Sequence, residues 1–533
     1  MEVEPLPPWP SIGRMFADNA ARFGDAPAIV DGEIELSYGA LLEMAHKAAR
    51  ALLAAGIGHG DLVTFWAPNS WRWAVMAHAA WMVGGVIVPI SSRLKVLEAG
   101  PILERTGAKI LFTVAECAGA RFIDSLHEIY GAELTGLPAL KRVVQLDLAG
   151  SFDAFLDSGQ SIDETAVARA TDAVGGEDVC EIVFTSGTTG SPKGVQLSHH
   201  QLIRSYWTWS GIGGLKFGDK YLVITPFSHG FGLNAGIIAS ALRGMCMVVL
   251  DFFEPERTLG LIRQHGINVM GGPPNLFARL MDLPEVAADP PKSLRVAFLG
   301  AASVPMEILK RCRSVLGIER VINAYGLMEA SVVSMTRADD PPDVIASTTG
   351  RALEEVEVKV VGDGGAELPP ATPGEILVRS YGVMKGYWRD PAQTAASLTP
   401  DGWFHTGDIG TIDAAGNITI VDRKKDMFIC GGFNAYPAEI ENLLLRIDGL
   451  SAVSVVAVPD ELRGEVPVAF VVPAPDSGVG PDAVLSWAKR NIASYKVPRQ
   501  VHVVSALPLN ANGKVMKDVL RERATGVEGK AAS

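Results

Sequence analysis

The chain has 533 residues, too many for a single hydrophobic core, so several packing units are expected. A composition that is 48% hydrophobic and 20% charged, with 56 glycines, is typical of an ordered globular enzyme and excludes a fibrous or disordered chain. The 47 basic and 60 acidic residues give a formal net charge of -13, which opposes broad binding to nucleic acid or to an anionic membrane.

The cysteines and the apolar stretches indicate a cytoplasmic protein. The five cysteines are scattered without a C-x-x-C pair, which argues against a disulfide framework and a zinc site. Residues 1–5 are acidic and proline-rich where a secretory signal would be basic and then apolar. The most apolar stretch, 71–90, contains Arg72, His78 and Pro89, so we interpret it as a short helix followed by a strand. No transmembrane segment is expected.

The first two thirds of the chain alternate helices with short apolar strands. A helix is predicted over about 38–56 and a buried strand over 62–66. The further apolar runs are 85–90, 109–114, 142–146, 180–184, 245–250, 268–271 and 295–299. Short apolar runs separated by helices are the pattern of parallel strands with helices on both faces. We therefore predict an α/β fold with doubly wound sheets.

The pattern changes at about residue 353. Alternating strands separated by Gly and Pro turns predict a small β-barrel-like subdomain over 353–421, which closes an N-terminal domain of residues 1–421. A small α+β C-terminal domain is predicted over 422–533. The predicted elements are the strands 356–361 and 374–378, then the helix 437–446 and the strands 453–458 and 468–472.

The strongest motif is a loop that directly follows the apolar run 180–184. Residues 185–194 contain five hydroxyl side chains, three glycines and one lysine, which offer many donors and a positive charge to a polyphosphate. The loop lacks the order of a Walker A motif. A surface linker has a similar composition, but the strand that leads into the loop favours phosphate binding. The candidate ATP-binding residues are Thr185, Ser186, Gly187, Thr188, Thr189, Gly190 and Lys193.

This loop resembles the signature of the adenylate-forming superfamily, which includes acyl-CoA synthetases, carrier-loading adenylation domains and beetle luciferases. Stretches similar to its other motifs follow in order through most of the chain. The resemblance implies that the C-terminal domain is mobile and that ATP, coenzyme A and Mg²⁺ take part in the reaction.

The stretch 323–329, Asn-Ala-Tyr-Gly-Leu-Met-Glu, resembles the family's second nucleotide motif. The resemblance implies that Tyr325 lies against adenine and that Glu329 holds Mg²⁺ together with Thr185. The usual threonine before the glutamate is Met328 here, which cannot donate a hydrogen bond to the α-phosphate. Either another donor replaces it or adenylation is slower than in the family. The residues of this motif assigned to the nucleotide are Asn323, Ala324, Tyr325 and Gly326.

Two later stretches resemble the ribose motif and the hinge. Residues 403–408 resemble the ribose motif, and the resemblance implies that Asp408 accepts hydrogen bonds from both sugar hydroxyls. A carboxylate suits this role because it offers two acceptor oxygens. Residues 422–426 resemble the inter-domain hinge, with Arg423 on ribose or phosphate and Lys425 as the pivot. A charged cluster of this kind is otherwise a solvated turn.

The C-terminal domain carries two further matches. Lys514 matches the lysine that reaches the α-phosphate and the acyl carboxylate, and it is the predicted main catalytic cation, although a lysine after Asn-Gly is otherwise an ordinary turn residue. Gly431, Gly432 and Phe433 match the stretch that lines the pantetheine tunnel, where glycine permits close approach.

Residues near the acyl group are less sharply marked. His229 falls where the family has a His or an aromatic residue near the substrate carboxylate, whereas a single His among apolar residues is usually part of a core. Gly300, Ala301 and Ala302 match a segment between the adenine and acyl pockets.

The predicted function is ATP-dependent acyl-CoA ligation through an acyl-adenylate. Residues 427–437 closely resemble actinobacterial ligases that act on propanoate side chains of sterol-derived rings. The apolar candidate pocket, 231–238 and 331–335, favours a medium-chain, long-chain or alicyclic acid over acetate. The alternatives are an acyl-AMP ligase that loads a carrier protein, an aromatic-acid CoA ligase, a luciferase-like monooxygenase and a regulator without catalysis. A homodimer is compatible with the sequence.

Overall fold

The computed structural model describes residues 5–526, except 186–191, 301–303, 305, 363, 424–427, 436, 476 and 509–514. The predicted site residues outside the described residues are Ser186, Gly187, Thr188, Thr189, Gly190, Ala301, Ala302, Lys425 and Lys514. The chain divides into two compact units. The first consists of residues 1–92, 101–184 and 194–422, and the second of residues 93–100, 185–193 and 423–533.

The first unit contains a nine-stranded sheet whose six central strands are parallel. Val269, Val296 and Arg320 are in register across three neighbouring strands, so the loops after these strands emerge at the same edge. In sheet order the strands are Arg351–Ala352, Ser331–Met335, Arg320–Leu327, Val296–Leu299, Val269–Gly272, Lys220–Val223, Cys246–Val249, Pro27–Asp31 and Ile34–Ser37.

A seven-stranded sheet carries the start of the predicted phosphate-binding loop, residues 185–194, which is called the phosphate loop below. The strand Val179–Thr185 ends where that loop begins, and it pairs in parallel with Val86–Ile90. In sheet order the strands are Gly386–Tyr387, Lys193–Ser198, Val179–Thr185, Val86–Ile90, Leu62–Trp66, Ile110–Thr113 and Arg142–Gln145. Small sheets complete the unit: Val356–Val361, Gly374–Ser380, Phe404–Ile412 and Ile418–Arg423 in one, and Glu116–Cys117 with Ala120–Arg121 in the other.

Both faces of the nine-stranded sheet are covered, as its apolar strands require. On one face Ala297 packs in a buried cluster with Leu259 and Phe277 from neighbouring helices. On the other face Phe298 stacks on Trp209 with ring centroids 4.1 Å apart. Adjacent residues of one strand point to opposite faces, so this pair shows why the strand is apolar throughout.

The helices connect the strands of each sheet. In chain order they are Ile12–Phe23, Tyr38–Ala54, Trp71–Met82, Val96–Thr106, Phe122–Tyr130, Ala149–Asp157, Glu164–Asp172, His199–Ile212, Gly230–Gly232, the π-helix Leu233–Ile238, Ala239–Arg243, Pro255–His265, Pro274–Met281, Pro284–Ala288, Met306–Ser314, Pro342–Ser347, Pro391–Ser397, Pro437–Leu444, Pro481–Asn491 and Lys517–Thr525. Over the described ranges, none of these helices has the length and apolar character that a membrane crossing requires.

The second unit has a five-stranded sheet and its own core. Its strands are Phe433–Ala435, Phe428–Cys430, Gly464–Pro473, Leu450–Asp460 and Gln500–Val503. Within this unit the ammonium of Lys496, which is 2% exposed, lies 2.9 Å from Glu98 and 2.6 Å from Glu439. Burial alone would lower the pKa of Lys496, but the two carboxylates raise it well above its ordinary value.

The predicted α/β fold with a large N-terminal and a small C-terminal domain is confirmed. Each apolar run predicted as a strand between residues 62 and 299 overlaps an observed strand. The apolar stretch 71–90 is the buried helix Trp71–Met82 followed by the strand Val86–Ile90, as predicted.

Candidate active site

Tyr325 and Asp408, which were assigned to separate motifs, lie side by side. The Tyr325 hydroxyl donates to Asp408 Oδ2 at 2.5 Å, across 83 positions of sequence. Asp408 is 2% exposed, and its backbone N–H donates to Thr406 Oγ1 at 3.0 Å. The Thr406 hydroxyl donates in turn to the Ile376 carbonyl at 2.7 Å. These bonds fix a buried carboxylate next to an aromatic ring, an arrangement that suits a nucleoside.

Glu329 follows the strand Arg320–Leu327 and is held by the strand Gly386–Tyr387 and the residues before it. The Tyr387 hydroxyl donates to Glu329 Oε1 at 3.1 Å, and the Met384 N–H donates to the Glu329 carbonyl at 2.8 Å. Tyr387 was missed by the sequence analysis, because its position after Gly386 gives no signal of a partner in a distant motif.

The described ends of the phosphate loop meet. Thr185 ends the strand Val179–Thr185, and its hydroxyl donates to the Lys193 carbonyl at 3.5 Å. Lys193 begins the strand Lys193–Ser198. The loop therefore starts and finishes on two strands of the same sheet, which positions Thr185 and Lys193 as its stems.

Asn323, Ala324, Gly326 and Gly300 lie at the carboxyl edge of the nine-stranded sheet. The Asn323 amide donates to the Thr348 carbonyl at 2.8 Å, so it holds a neighbouring segment. A Cβ on Gly326 would lie 2.4 Å from a backbone oxygen, which only glycine avoids. A Cβ on Gly300 would lie 3.6 Å from the Ala324 carbonyl, so these two segments are adjacent, as predicted for neighbouring parts of one site.

His229 caps the short helical turn Gly230–Gly232. Its Nδ1 accepts from the Phe231 N–H at 3.2 Å, which leaves Nε2 as the protonated nitrogen of the neutral ring. The side chain is exposed to solvent by area, yet the protein around it lowers its pKa by desolvation. His229 is therefore a neutral donor near pH 7.

Met328 contacts the same turn. A Cβ on Gly230 would lie 2.6 Å from Met328 Sδ, so the thioether packs directly on this glycine. The residue that replaces the family's threonine therefore contacts the turn after His229. Its contact is apolar, which agrees with the expectation that it donates no hydrogen bond to a phosphate.

The candidate acyl pocket has an apolar wall built around Phe231. A Cβ on Gly271 would lie 2.7 Å from the Phe231 ring, so the glycine leaves room for it. The ring also meets Trp209 edge to face, with centroids 6.0 Å apart. Residues 233–238 form a buried π-helix and Val332 is half-buried, so Phe231 and Val332 are the more accessible of the predicted pocket residues.

Glu181 was also missed, whereas Asn234 falls inside the predicted pocket segment 231–238. Glu181 is 0% exposed in the strand that leads into the phosphate loop, and its Oε1 accepts from Asn234 Nδ2 at 3.0 Å. Burial raises the pKa of Glu181 to about 7. The signal that could have found it is a charged residue inside an otherwise apolar run.

A recess of about 440 Å³ lies at the amino ends of the parallel strands, near Lys220 and Arg295. Parallel strands place their active-site loops at the carboxyl ends, and of the predicted site residues that the structure describes none lines this recess. We therefore assign it no role in the reaction.

In the second unit, Gly431 and Gly432 form the turn between the strands Phe428–Cys430 and Phe433–Ala435. Their φ angles of +59° and +84° favour glycine. Phe433 stacks on Tyr495 with centroids 4.9 Å apart, and the guanidinium of Arg93 lies 4.3 Å from the Phe433 ring centroid. The backbone of Arg423 ends the strand Ile418–Arg423.

Comparisons with known proteins identify the family. The AMP-binding enzyme family matches residues 16–388, and the AMP-binding enzyme C-terminal domain matches residues 439–514. Two similar relatives are named 3-[(3aS,4S,7aS)-7a-methyl-1,5-dioxo-octahydro-1H-inden-4-yl]propanoyl:CoA ligase. The one from Mycobacterium tuberculosis is 40% identical over 93% of this chain and 96% of its own. The one from Rhodococcus jostii is 40% identical over 94% of this chain and 96% of its own.

A solved structure has the same architecture. The o-succinylbenzoate CoA synthetase from Bacillus subtilis, a double mutant bound to a product analogue, aligns with a TM-score of 0.82 and 25% identity. The alignment covers 96% of this chain and 98% of that one. The chain therefore belongs to the AMP-binding enzyme family, and it is an ATP-dependent, AMP-forming acyl-CoA synthetase whose substrates are a carboxylic acid, ATP and coenzyme A.

Proposed function

We propose that the acid is hydrophobic and carries a ring system next to a propanoate chain. The names of the two 40% identical ligases support this class of substrate. The wall around Phe231 and Trp209 suits an apolar ring. The predicted pocket segments 231–238 and 331–335 contain no lysine or arginine that could hold a second carboxylate, so a simple monoacid fits better than a diacid.

Tyr325 and Asp408 are the proposed adenosine site. The observation that supports it is the 2.5 Å hydrogen bond between them, which places an aromatic face beside a buried acceptor. The carboxylate has lone pairs for both ribose hydroxyls, while the ring offers a surface for the base. In this proposal the ribose hydroxyls share Asp408 with the Tyr325 hydroxyl.

Glu329 and Thr185 are the proposed protein ligands of Mg²⁺. A carboxylate and a hydroxyl are hard oxygen donors, and Mg²⁺ in nucleotide sites commonly uses one or two carboxylates together with phosphates and water. Among the described residues no group of three or more His, Cys, Asp or Glu could hold a metal by itself, so the nucleotide would supply the remaining ligands. The bound ion would reduce the repulsion between the triphosphate and the attacking carboxylate.

The synthetase reaction has two steps. The substrate carboxylate attacks the α-phosphorus of ATP and pyrophosphate leaves; the thiol of coenzyme A then attacks the acyl carbonyl and AMP leaves. In our proposal the neutral His229 ring donates to the substrate carboxylate and orients it. Lys514, outside the described residues, would stabilise the charge that develops on the α-phosphate oxygens.

The same proposal includes a domain boundary near residues 421 and 422 and a hinge at Lys425. It also assigns roles in acyl transfer to Arg423, Gly431, Gly432 and Phe433. The glycine turn supports it, because a chain without a Cβ leaves room for the thin pantetheine arm. A cytoplasmic location and a homodimer stay predictions.

The substrate proposal is tested by a pyrophosphate-release screen of the purified protein with fatty, aromatic and ring-fused propanoic acids, with and without coenzyme A. We expect the highest kcat/KM for the ring-fused propanoates and an acyl-CoA product in stoichiometric amount. A clear preference for unbranched fatty acids or for aromatic acids would contradict the proposed substrate. A phosphopantetheinylated carrier protein, tested as the acceptor in parallel, measures the carrier-loading alternative.

A further inference from the structure

The carboxyl group of Glu181 is buried and has few polar neighbours. It lies in the strand Val179–Thr185 between the buried residues Cys180 and Ile182. One oxygen accepts from Asn234, but within the described residues Glu181 Oε2 and Asn234 Oδ1 have no hydrogen-bond partner. A buried acid that is only partly hydrogen-bonded costs stability relative to an apolar residue. Packing alone therefore does not account for Glu181.

Asn234 belongs to the π-helix Leu233–Ile238, which follows the turn Gly230–Gly232 without a break. A π-helix widens the backbone and is frequently found at functional sites. Asn234 is 1% exposed, and its hydrogen bond to Glu181 joins this segment to a strand of the seven-stranded sheet. The strand that begins the phosphate loop is thus tied to the wall of the candidate acyl pocket.

Tyr206 extends this buried connection to the turn. It lies in the helix His199–Ile212 and is 6% exposed. Its hydroxyl donates to the Gly230 carbonyl at 3.4 Å, and the nearby Asn234 side chain lowers the pKa of this hydroxyl, an effect that is smaller than that of burial. Burial and the nearby Glu181 raise the pKa of Tyr206 well above its ordinary value, so the hydroxyl stays protonated and can donate.

Gly230 connects these buried contacts to the residues that we propose to lie near the acyl substrate. It lies between His229, whose Nδ1 accepts from the Phe231 N–H, and Phe231, whose ring packs against Trp209 in the apolar wall. A Cβ on Gly230 would lie 2.6 Å from Met328 Sδ and 3.6 Å from Asn234 Nδ2. A small displacement of Gly230 would therefore move His229, Phe231 and the Met328 contact together.

We infer that Glu181, Asn234 and Tyr206 form a buried polar support for the turn Gly230–Gly232, and that Glu181 is a positioning residue for recognition of the acyl acid. The inference rests on the proposed location of the acyl pocket at residues 231–238. Glu181 acts through Asn234 and Tyr206 and does not touch the substrate. Loss of the support should weaken binding of the acid and leave binding of ATP and coenzyme A nearly unchanged.

Two substitutions of Glu181 separate hydrogen bonding from packing. Glu181→Gln keeps an acceptor oxygen for the Asn234 amide, so the KM for the acid should stay within about twofold of the wild-type value. Glu181→Met has a similar length without an acceptor, and we expect it to raise the KM for the acid by about tenfold, the effect of about one lost hydrogen bond. The KM for ATP should change by less than about twofold in both variants.

Tyr206→Phe keeps the inference testable if Glu181→Met does not fold. It removes only the hydroxyl that holds the Gly230 carbonyl, and it should also raise the KM for the acid selectively. The matched control is Tyr38→Phe, because the Tyr38 hydroxyl is equally buried and donates to the Ser240 and Met245 carbonyls at 2.8 and 2.7 Å. The control should lower thermal stability without a change in the KM for the acid.

All variants are assayed with the acid that the wild-type protein prefers in the screen. If that acid is an unbranched fatty acid, the proposed substrate class is wrong, but the support is still tested by the ratio of the two KM values. The inference is overturned if Glu181→Met and Tyr206→Phe change only thermal stability, or if they raise the KM for ATP as much as the KM for the acid.

Discussion

Glu181 also makes the stability of the protein depend on pH. Burial, partly offset by the Asn234 hydrogen bond, raises the pKa of this carboxyl from 4.5 to about 7. In the unfolded chain the group titrates near its ordinary pKa, so between these two values the folded protein binds the extra proton. The contribution to stability is therefore fully present below the ordinary pKa and is lost as the pH rises through about 7.

The corresponding prediction is that Glu181→Gln gains stability relative to the wild type as the pH rises from about 4.5 to 8. The glutamine is always neutral, so the relative gain should approach about 3 kcal/mol, at about 1.4 kcal/mol for each unit of pKa. Urea unfolding of both proteins at pH 5 and pH 8 measures it. Glu43→Gln is the control, because the Lys47 ammonium lowers the pKa of that exposed carboxyl and the gain at high pH should be absent. An equal difference between wild type and Glu181→Gln at both pH values would show that Glu181 does not titrate in this range.

Asp408 and Tyr325 make different contributions to the proposed adenosine site, although they contact each other. Asp408→Asn replaces an acceptor-only group by an amide with a single acceptor oxygen, and it should lower kcat/KM for ATP by about 10- to 100-fold, the range of a charged hydrogen bond. Tyr325→Phe keeps the ring and removes only the hydroxyl that donates to Asp408 Oδ2, so the loss should be about threefold or less. Steady-state kinetics with ATP varied at saturating acid compares the two. Equal losses would contradict the division of roles between carboxylate and ring.

At the scale of elements, the turn Gly230–Gly232 is packed so tightly that one methyl group should disrupt it. A Cβ on Gly232 would lie 2.1 Å from the Pro226 carbonyl oxygen and 2.4 Å from that of Thr225. Both atoms are backbone and cannot rotate away. Gly232→Ala should therefore destabilise the protein by about 1–3 kcal/mol and raise the KM for the acid.

Gly260→Ala is the matched control for this prediction. Gly260 lies in the exposed part of the helix Pro255–His265, and nothing lies within 4 Å of the Cβ position. The same substitution should stabilise the protein there by about 0.5–1 kcal/mol, since alanine is the better helix former. Thermal unfolding of both variants tests this prediction. A Gly232→Ala protein as stable as Gly260→Ala would mean that the turn can relax.

The elements near the site differ in how well the sequence predicts them. The strands around the phosphate loop follow from apolar runs, and Tyr325 and Asp408 are each marked by a family motif, both of which are local in sequence, whereas the hydrogen bond between the two side chains spans 83 positions and was not predicted. The bond between Glu181 and Asn234 joins a strand to a helix 53 positions later, so no local pattern encodes it. The π-helix is hidden as well, because its residues 233–238 are mostly apolar and read as any buried helix.

At the scale of the whole molecule, the second unit combines segments that are far apart in the chain. Glu98 belongs to it and contacts Lys496, which lies 398 positions later. The sequence predicts the compact C-terminal block from its own strands and helices, but a buried ion pair of this separation depends on tertiary packing alone. Lys496 donates to both Glu98 and Glu439, and these hydrogen bonds partly compensate for the desolvation of the three buried groups.

In the proposed mechanism Lys514 acts in only one of the two half-reactions. If Lys514 neutralises charge on the α-phosphate, Lys514→Ala should reduce adenylate formation by about a thousandfold or more, as expected for loss of a main electrostatic contact in the transition state. Acyl transfer to coenzyme A from supplied acyl-adenylate involves no pyrophosphate, and it should keep most of its rate. Pyrophosphate exchange measures the first step, and conversion of synthetic acyl-adenylate measures the second.

Lys517→Ala is the control for this variant. Lys517 lies three residues away, and its ammonium pairs with Glu441 at 2.8 Å within the second unit, so its removal affects local stability and neither half-reaction. Because both variants delete one lysine from the same end of the chain, they share any general effect of lost charge. A similar loss in both half-reactions for Lys514→Ala, or a similar loss of adenylation in both variants, would refute a specific role of Lys514 in adenylate formation.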